Sequence, residues 1–416
     1  MPILDITGTS SDGRGVAVMD GMTVFVENAV EGDKAEIEII NQKKRFAEAK
    51  VTKIIAPSPH RIEPKCPYFS ECGGCSTANT EYSFELKAKA NNVVQAMRRI
   101  GGFKDFTLDS IESGEECRYR NKAVYKLGSE CGFYSKKSHN IIDINECILC
   151  HENDGKILTA VRNYIKEGNS SLKELFIRRG KTTMVCLIGD KEEQGIEQLA
   201  KSIAEADESV SSVILKTSSK QRVLFGYDYI EAEILGVNFR ISNQSFFQVN
   251  PQMTEVLYKK ALEYADLNGD ERLLDIYCGI GTISLCASRS AGHVIGVEIV
   301  PEAIENAKSN AQINGITNTE FYASSAEKLV PKLIEGGERP DVVILDPPRK
   351  GSDEATLSAI IKAKPERIVY VSCNAATLAR DARFLADGGY KITKATAVDM
   401  FPRTGHCECC LLMCRE

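Results

Sequence analysis

The sequence predicts an α/β protein whose second half is a doubly wound parallel sheet, preceded by a small N-terminal β-barrel and a central α+β segment. Three observations predict this. From about residue 250 short apolar strand patterns alternate with helical ones, the signature of parallel strands linked by crossover helices. Residues 1–55 instead hold short alternating runs broken by glycine, as in GRGVAVMDGMTVFVENAV, the pattern of a small OB-like barrel. Between them lies a segment rich in cysteine that begins at Cys66.

Along the chain, APSPHRIEPK carries three prolines and reads as a linker. Leu86, Ala90, Val93, Met97 and Ile100 recur at helical spacing, which predicts an amphipathic helix over Tyr82–Ile100. Further helices are expected near 151–168 and 191–205, and RRGK (178–181) reads as a hairpin turn. Asn250 and Pro251 supply an N-cap and a first-turn proline for the next helix. Five strands then follow in RLLDIYC, HVIGVEIV, TEFYASS, DVVILDPP and RIVYVSC, and KITKATAVDMFP with HCECCLLMC gives two closing strands joined tightly. The expected domains are 1–55, 56–240 and 241–416.

The 416 residues have room for two or three domains, and 43% hydrophobic with 26% charged residues is ordinary for a globular chain. No apolar stretch approaches a membrane span and the N-terminus has no secretory pattern, so a cytoplasmic, membrane-free protein is expected. A net charge of −6 argues against a chain that coats nucleic acid non-specifically but leaves room for a local basic groove. Arg118, Arg120 and Lys122 in RYRNK, and Arg178, Arg179 and Lys181 in RRGK, are either phosphate contacts or solvated surface. The 15 cysteines are odd in number and spread over a long chain, which favours metal ligation or thiol chemistry over a disulfide framework.

Gly279 and Gly281 open the helix after the first parallel strand, and Glu298 follows Asp275 by 23 residues at the end of the next strand. An acid at that offset takes the ribose hydroxyls of an adenosine group, and the missing third glycine favours S-adenosylmethionine over a dinucleotide. Asp346 of DPPRKG ends the fourth strand and Cys373 of SCN the fifth, so both are expected at one rim. A thiol in that place suits methylation of a uracil at C5, where a thiolate adding to C6 makes C5 nucleophilic and a base later removes the C5 proton. His406 and Glu408 lie in RTGHCECC, in a tight segment just before the last strand, as candidates for that base.

Cys66, Cys72 and Cys75 form a compact triplet around Gly73 and Gly74, with Cys147 or Cys150 as a fourth thiol. The five-residue gap suits a four-thiolate iron–sulfur cluster better than zinc, which remains an alternative.

FFQVNP, DIYCGIGT, GVE, DPPRKG, SCN and DMFPRTGHCE, in this order, make the second half resemble the RNA uracil-C5 methyltransferases that form 5-methyluridine in ribosomal and transfer RNA. The barrel resembles their TRAM domain. The resemblance implies Cys373 as nucleophile and Glu408 as base. Gln248, Tyr277, Glu298 and Asp346, with Thr282 and Ser325, would line the S-adenosylmethionine site. It also implies a [4Fe–4S] cluster on Cys66, Cys72, Cys75 and Cys147, and ribosomal RNA as partner of a monomeric enzyme. Cys407, Cys409 and Cys410 read as core strand residues. An amino-directed methyltransferase using Asp-Pro-Pro and a transfer RNA enzyme are the alternatives; a non-enzymatic RNA-binding scaffold would not need the intact site. The target base must leave its stack to reach a thiol at a sheet rim.

Overall fold

The computed structural model describes residues 1–168 and 170–416. The N-terminal unit is a six-stranded sheet ordered Ile3–Asp5, Lys34–Gln42, Phe46–Ala56, Met22–Glu27, Gly15–Met19 and Gly8–Thr9. Its inward positions alternate along each strand, so that Ala17, Val24, Val26, Ile37, Ala47 and Ala49 form the core. Register shifts between Lys34–Gln42 and Phe46–Ala56 bend this long pair over that core.

The central sheet has seven strands, ordered Ile141–Asp143, Cys131–Tyr134, Lys122–Leu127, Leu172–Arg179, Thr183–Gly189, Val210–Lys216 and Gln221–Gly226. Helices Asp154–Glu167 and Ile196–Ala206 cover one face through Ile157, Leu158, Leu199 and Ile203. The other face sends Phe176, Met184, Cys186 and Ile214 into the core of the C-terminal half.

That half is built on an eight-stranded sheet ordered Thr319–Ala323, His293–Glu298, Arg272–Ile276, Val342–Leu345, Arg367–Ser372, Glu408–Arg415, Tyr390–Val398 and Ser110–Glu112. The first five strands are parallel and Glu408–Arg415 runs antiparallel beside Arg367–Ser372. Val342–Leu345 is buried on both faces, as a strand between two helical layers must be.

The packing divides the chain differently from the expected 56–240 segment. Ser110–Glu112 pairs with Tyr390–Val398, and helix Tyr82–Arg99 packs on helix Ala375–Asp387, so this early stretch belongs to the third sheet. The hairpin of Tyr229–Ile234 and Val237–Ser242 also feeds the third core. Helix Tyr82–Arg99 also presents a different face from the one its apolar spacing predicts. Its buried line is Glu85, Lys89, Val93 and Met97, while Ile100 is 53% exposed. Two charged residues face inward because a buried ionic cluster waits there. The closing strands are joined by the nine-residue segment 399–407 rather than by a tight turn.

Candidate active site

Glu298, Asp346 and Cys373 stand at the carboxyl ends of parallel strands, where an open α/β sheet binds its ligands, and Glu408 starts the antiparallel strand beside them. After Arg272–Ile276 the chain turns through Tyr277, Gly279 and Gly281, with φ of 70°, 55° and 78°, into helix Thr282–Ala287. A methyl on Gly281 would lie 3.1 Å from the Phe321 ring, so glycine permits both the backbone angle and the close approach there. Glu298 crosses this turn: its Oε2 accepts from the Gly279 N–H at 3.3 Å and its Oε1 from the Val300 N–H at 3.0 Å. Tyr277 hydroxyl meets Ser352 Oγ at 3.0 Å, and Thr282 Oγ1 meets Tyr258 hydroxyl at 2.9 Å.

Two buried polar atoms here have no partner, Ser325 Oγ and Asp275 Oδ1. A buried oxygen without a partner is costly, and a ligand rich in hydroxyl and amino groups would satisfy both. Asp275 is wholly buried, with Oδ2 accepting from Ser284 Oγ at 2.5 Å, and burial pushes its carboxyl up to about 6. Gln248 is 7% exposed and offers its carbonyl to Asn121 Nδ2 at 3.1 Å. The following Asn250 accepts from the Met253 N–H at 3.2 Å, the expected N-cap.

Asp346, Cys373 and Glu408 come together at this rim. Ser372 pairs with Cys409, so Cys373 and Glu408 stand at the next register position, where the two strands part. Burial raises all three groups, and each then feels a neighbour's charge. Asp346 rises to about 7, helped by Asp275. Glu408 is 3% exposed and rises to about 8, helped by Asp346. Cys373 rises to about 11, helped by Glu408 and Asp346. Arg349 is the cation that pulls both Glu408 and Cys373 back down. Burial thus favours the protonated forms of the thiol and of both carboxyls. Sequence reasoning singled out neither Arg349 nor Asp275 for a role, although DPPRKG and LLDIYC place them in the motifs. His406 is half-buried and held below the usual histidine range by burial and by Arg349. Cys409 and Cys410 are core residues, and Cys407 Sγ lies 3.5 Å from the Val398 carbonyl oxygen.

The segment that delivers Glu408 rests on a buried ionic cluster. Lys89 Nζ donates to Glu85 and Asp399, each at 2.7 Å, and to the Phe401 carbonyl at 3.1 Å. Arg403 also joins Glu85 and pairs with Glu116.

The surroundings of the four thiols bear on their fitness as ligands. Cys66, Cys72 and Cys75 are each raised, first by burial, and each also feels Cys147; burial and these charges push Cys75 up to about 12. Cys150 is raised first by a side-chain hydrogen bond with Cys147, then by burial, and it also lies near Tyr125 and Asp154. Backbone N–H groups point at three of the sulfurs: Tyr68 and Phe69 at Cys66, Gly74 at Cys72, Leu149 and Cys150 at Cys147. Such donors stabilise thiolate and tune bound iron–sulfur groups. Among the described residues no three His, Cys, Asp or Glu side chains are grouped as a metal ion requires. What favours an iron–sulfur group here is the all-sulfur donor chemistry of the four cysteines.

Residues 81–416 match the family model described as tRNA (Uracil-5-)-methyltransferase, and residues 4–52 match the TRAM domain. An uncharacterized RNA methyltransferase of Halalkalibacterium halodurans is 42% identical, over 97% of this chain and 94% of its own. One from Clostridium tetani is 41% identical, over 99% and 95%. Among solved structures, the Pyrococcus abyssi tRNA (uracil-54, C5)-methyltransferase bound to S-adenosyl-L-homocysteine superposes with a TM-score of 0.79. It is 25% identical, covering 99% of this chain and all of that one. Among the described residues no helix is long and apolar enough to cross a membrane.

Proposed function

Because the chain belongs to the tRNA (uracil-5-)-methyltransferase family of S-adenosylmethionine-dependent RNA methyltransferases, we propose that it methylates uridine at C5 with Cys373 as nucleophile and Glu408 as base. The observation that carries this reading is the meeting of Cys373 and Glu408 at one strand end, beside Asp346 and Arg349.

Cys373 loses its proton to solvent, and the resulting thiolate bonds to uracil C6; the proton returns from solvent when the thiolate is released at the end of the cycle. The C5–C6 electron pair moves onto C5 and the C4 carbonyl, and C5 becomes the nucleophile. Bound S-adenosylmethionine supplies an electrophilic methyl group on its sulfonium. Glu408 then takes the C5 proton, the C5–C6 double bond returns, and the C6–S bond breaks to free the thiolate. Glu298 holds the ribose hydroxyls, and Ser325 and Asp275 offer their unpartnered oxygens to the same ligand. Tyr277, Thr282, Gln248 and Asp346 complete its pocket.

The four thiols Cys66, Cys72, Cys75 and Cys147 are proposed to hold a [4Fe–4S] cluster, which would supply a redox-capable crosslink to the segment and takes no part in methyl transfer. Ribosomal RNA is the proposed substrate, supported by the pairing of a TRAM domain with the four-thiol set. Transfer RNA is the second reading, since the superposed Pyrococcus abyssi enzyme acts on tRNA uracil-54. Mapping 5-methyluridine in both RNAs from a strain lacking the gene decides between them.

RNA carrying 5-fluorouridine at the target tests the chemistry. Fluorine cannot leave as a cation, so an adduct stable to denaturing gels forms in the presence of S-adenosylmethionine. Cys373→Ala forms none. An adduct mapped to Cys278 or Cys407 overturns the assignment.

A further inference from the structure

The two basic clusters of the sequence, RYRNK and RRGK, become one structure. Lys122 and Arg178 are direct partners across the antiparallel strands Lys122–Leu127 and Leu172–Arg179. Both cations sit over one ring, Phe176, at 5.5 Å and 5.2 Å from its centroid. Arg120 Nε donates to the Lys122 carbonyl at 3.0 Å, which brings a third cation alongside.

The six charges of the two clusters then separate into two kinds. Arg118 pairs with Glu146, Arg179 with Asp154 and Asp207, and Lys181 with Glu233. Among the described residues Arg120, Lys122 and Arg178 have no carboxylate. Arg178 is 2% exposed, yet its guanidinium is bonded only to the Ser242 carbonyl, at 2.8 Å. Burial lowers it to about 10 against a small opposing pull from the Cys186 thiol, and burial with the charges of Arg178 and Arg120 lowers Lys122; no carboxylate opposes either shift. Like charges placed opposite each other on a sheet are unfavourable, and a buried cation without a counter-ion is more so.

The place has an opening. Arg120 and Lys122 line a cavity of about 820 Å³ between the N-terminal sheet, the cysteine segment and the central sheet. Other cations on its wall are already satisfied: Arg14 by Asp12 and Glu48, Lys126 by Glu174, Lys137 by Glu27. Lys136 is held by two neutral oxygens, of Asn28 and Phe69. Asn121, between Arg120 and Lys122, fastens the group to the active site by donating to the carbonyls of Gln248 and Val249, at 3.1 Å and 2.8 Å.

We propose that Arg120 and Lys122, with Arg178 behind them, form a preformed clamp for a backbone phosphate of the RNA, next to the Gln248 segment. This rests on the reading of the chain as an RNA enzyme and adds where the RNA backbone is gripped. Protein–RNA pairs of this kind release counter-ions, so each phosphate contact contributes about 0.7 to the slope of log affinity against log salt for a single strand.

The test uses the full-length protein and a ten-nucleotide oligouridine, with anisotropy read across a potassium chloride series. Lys122→Gln and Arg120→Gln should each weaken binding and flatten the slope, by at most about 0.7, the share of the one phosphate they hold together. Lys181→Gln, from the same sequence cluster but already paired, should keep the wild-type slope. Arg178 is left unchanged, because a substitution at its buried site would disturb folding as well as binding. A wild-type slope in both clamp variants overturns the proposal, as does an equal loss in Lys181→Gln or failure of the wild-type protein to bind the decamer. The fluorouridine adduct on Cys373 is scored separately, so the clamp can fail while the enzyme assignment stands.

Discussion

Replacing Glu408 by glutamine should stop the reaction and at the same time make the folded protein more stable in mild alkali. The Glu408 carboxyl is raised from 4.5 to about 8, first by burial and then by Asp346. At 1.36 kcal/mol per pH unit the whole gap corresponds to roughly 5 kcal/mol. The sign follows from linkage. Below 4.5 the residue is protonated in both folded and unfolded chains and costs nothing. Between 4.5 and about 8 the unfolded chain loses the proton while the fold keeps it, so stability falls as pH rises. Above 8 the full cost stands. Glutamine has the same shape and no titration, so the variant escapes this loss. Urea unfolding at pH 5, 7 and 9 should show the stability gain of Glu408→Gln over wild type growing with pH, by roughly 1.4 kcal/mol per pH unit inside the window. In the same variant a covalent RNA–protein species should build up with natural uridine, because the C5 proton has no acceptor. A gain that stays constant from pH 5 to 9 would refute the buried, raised carboxyl, and rapid release of methylated RNA by the variant would refute its role as base.

A cationic ligand beside Asp346 and Glu408 should draw out their protons, so S-adenosylmethionine should bind more tightly as pH rises from 6 to 8, and neutral S-adenosylhomocysteine should show a weaker dependence; parallel calorimetric profiles would count against this. Glu298→Ala should weaken S-adenosylmethionine binding about ten- to a hundredfold, the range of a hydrogen bond to a charged group, and unchanged affinity would misplace the pocket. Lys89→Met leaves Asp399 buried without its cation and Glu85 with Arg403 alone, and should cost roughly 3–5 kcal/mol in urea unfolding. Protein purified without air should be brown and contain iron, and Cys147→Ser should bleach it more than Cys150→Ser does; zinc in place of iron would remove the cluster assignment.

The parallel half of the fold was legible because its central strands are buried on both faces and read as apolar runs, as in Val342–Leu345, while the edge strand Thr319–Ala323 is largely exposed. The site was legible for a related reason. Parallel strands end at one rim, so Glu298, Asp346 and Cys373 could be brought together from their strand-end positions alone. What stayed hidden lies where long-range partners override local pattern. Helix Tyr82–Arg99 turns Glu85 and Lys89 inward because Asp399, more than three hundred residues away, completes their charge. Nothing local to RRGK separates Arg178, which goes under the sheet, from Arg179, which is caught by Asp154 and Asp207; only the strand parity and the acids of distant helices do so. Ser110–Glu112 is too short to read as a strand and exists as one by its pairing with Tyr390–Val398.

The segment 399–407 explains why a TRAM domain and a cysteine motif share a chain with a methyltransferase sheet. It has no regular structure of its own, yet it must deliver Glu408 to the start of a strand. Lys89 and Tyr82 fix its beginning through Asp399. Tyr119 hydroxyl donates to the Pro402 carbonyl at 3.0 Å. The N–H groups of Ser76 and Thr77, immediately after Cys75, reach the Arg403 carbonyl at 3.0 Å and 3.3 Å. Arg403 itself has φ of 68°, a left-handed angle that a non-glycine residue keeps only when its surroundings hold it. At Gly405 a methyl group would come within 2.4 Å of the Gly13 nitrogen, so the N-terminal sheet closes directly on the segment. Three parts of the chain thus converge on the few residues before the base. In the proposed reaction, a carboxyl that burial raises to about 8 is useful only if it stays where the C5 proton appears, and these contacts hold the backbone that carries it.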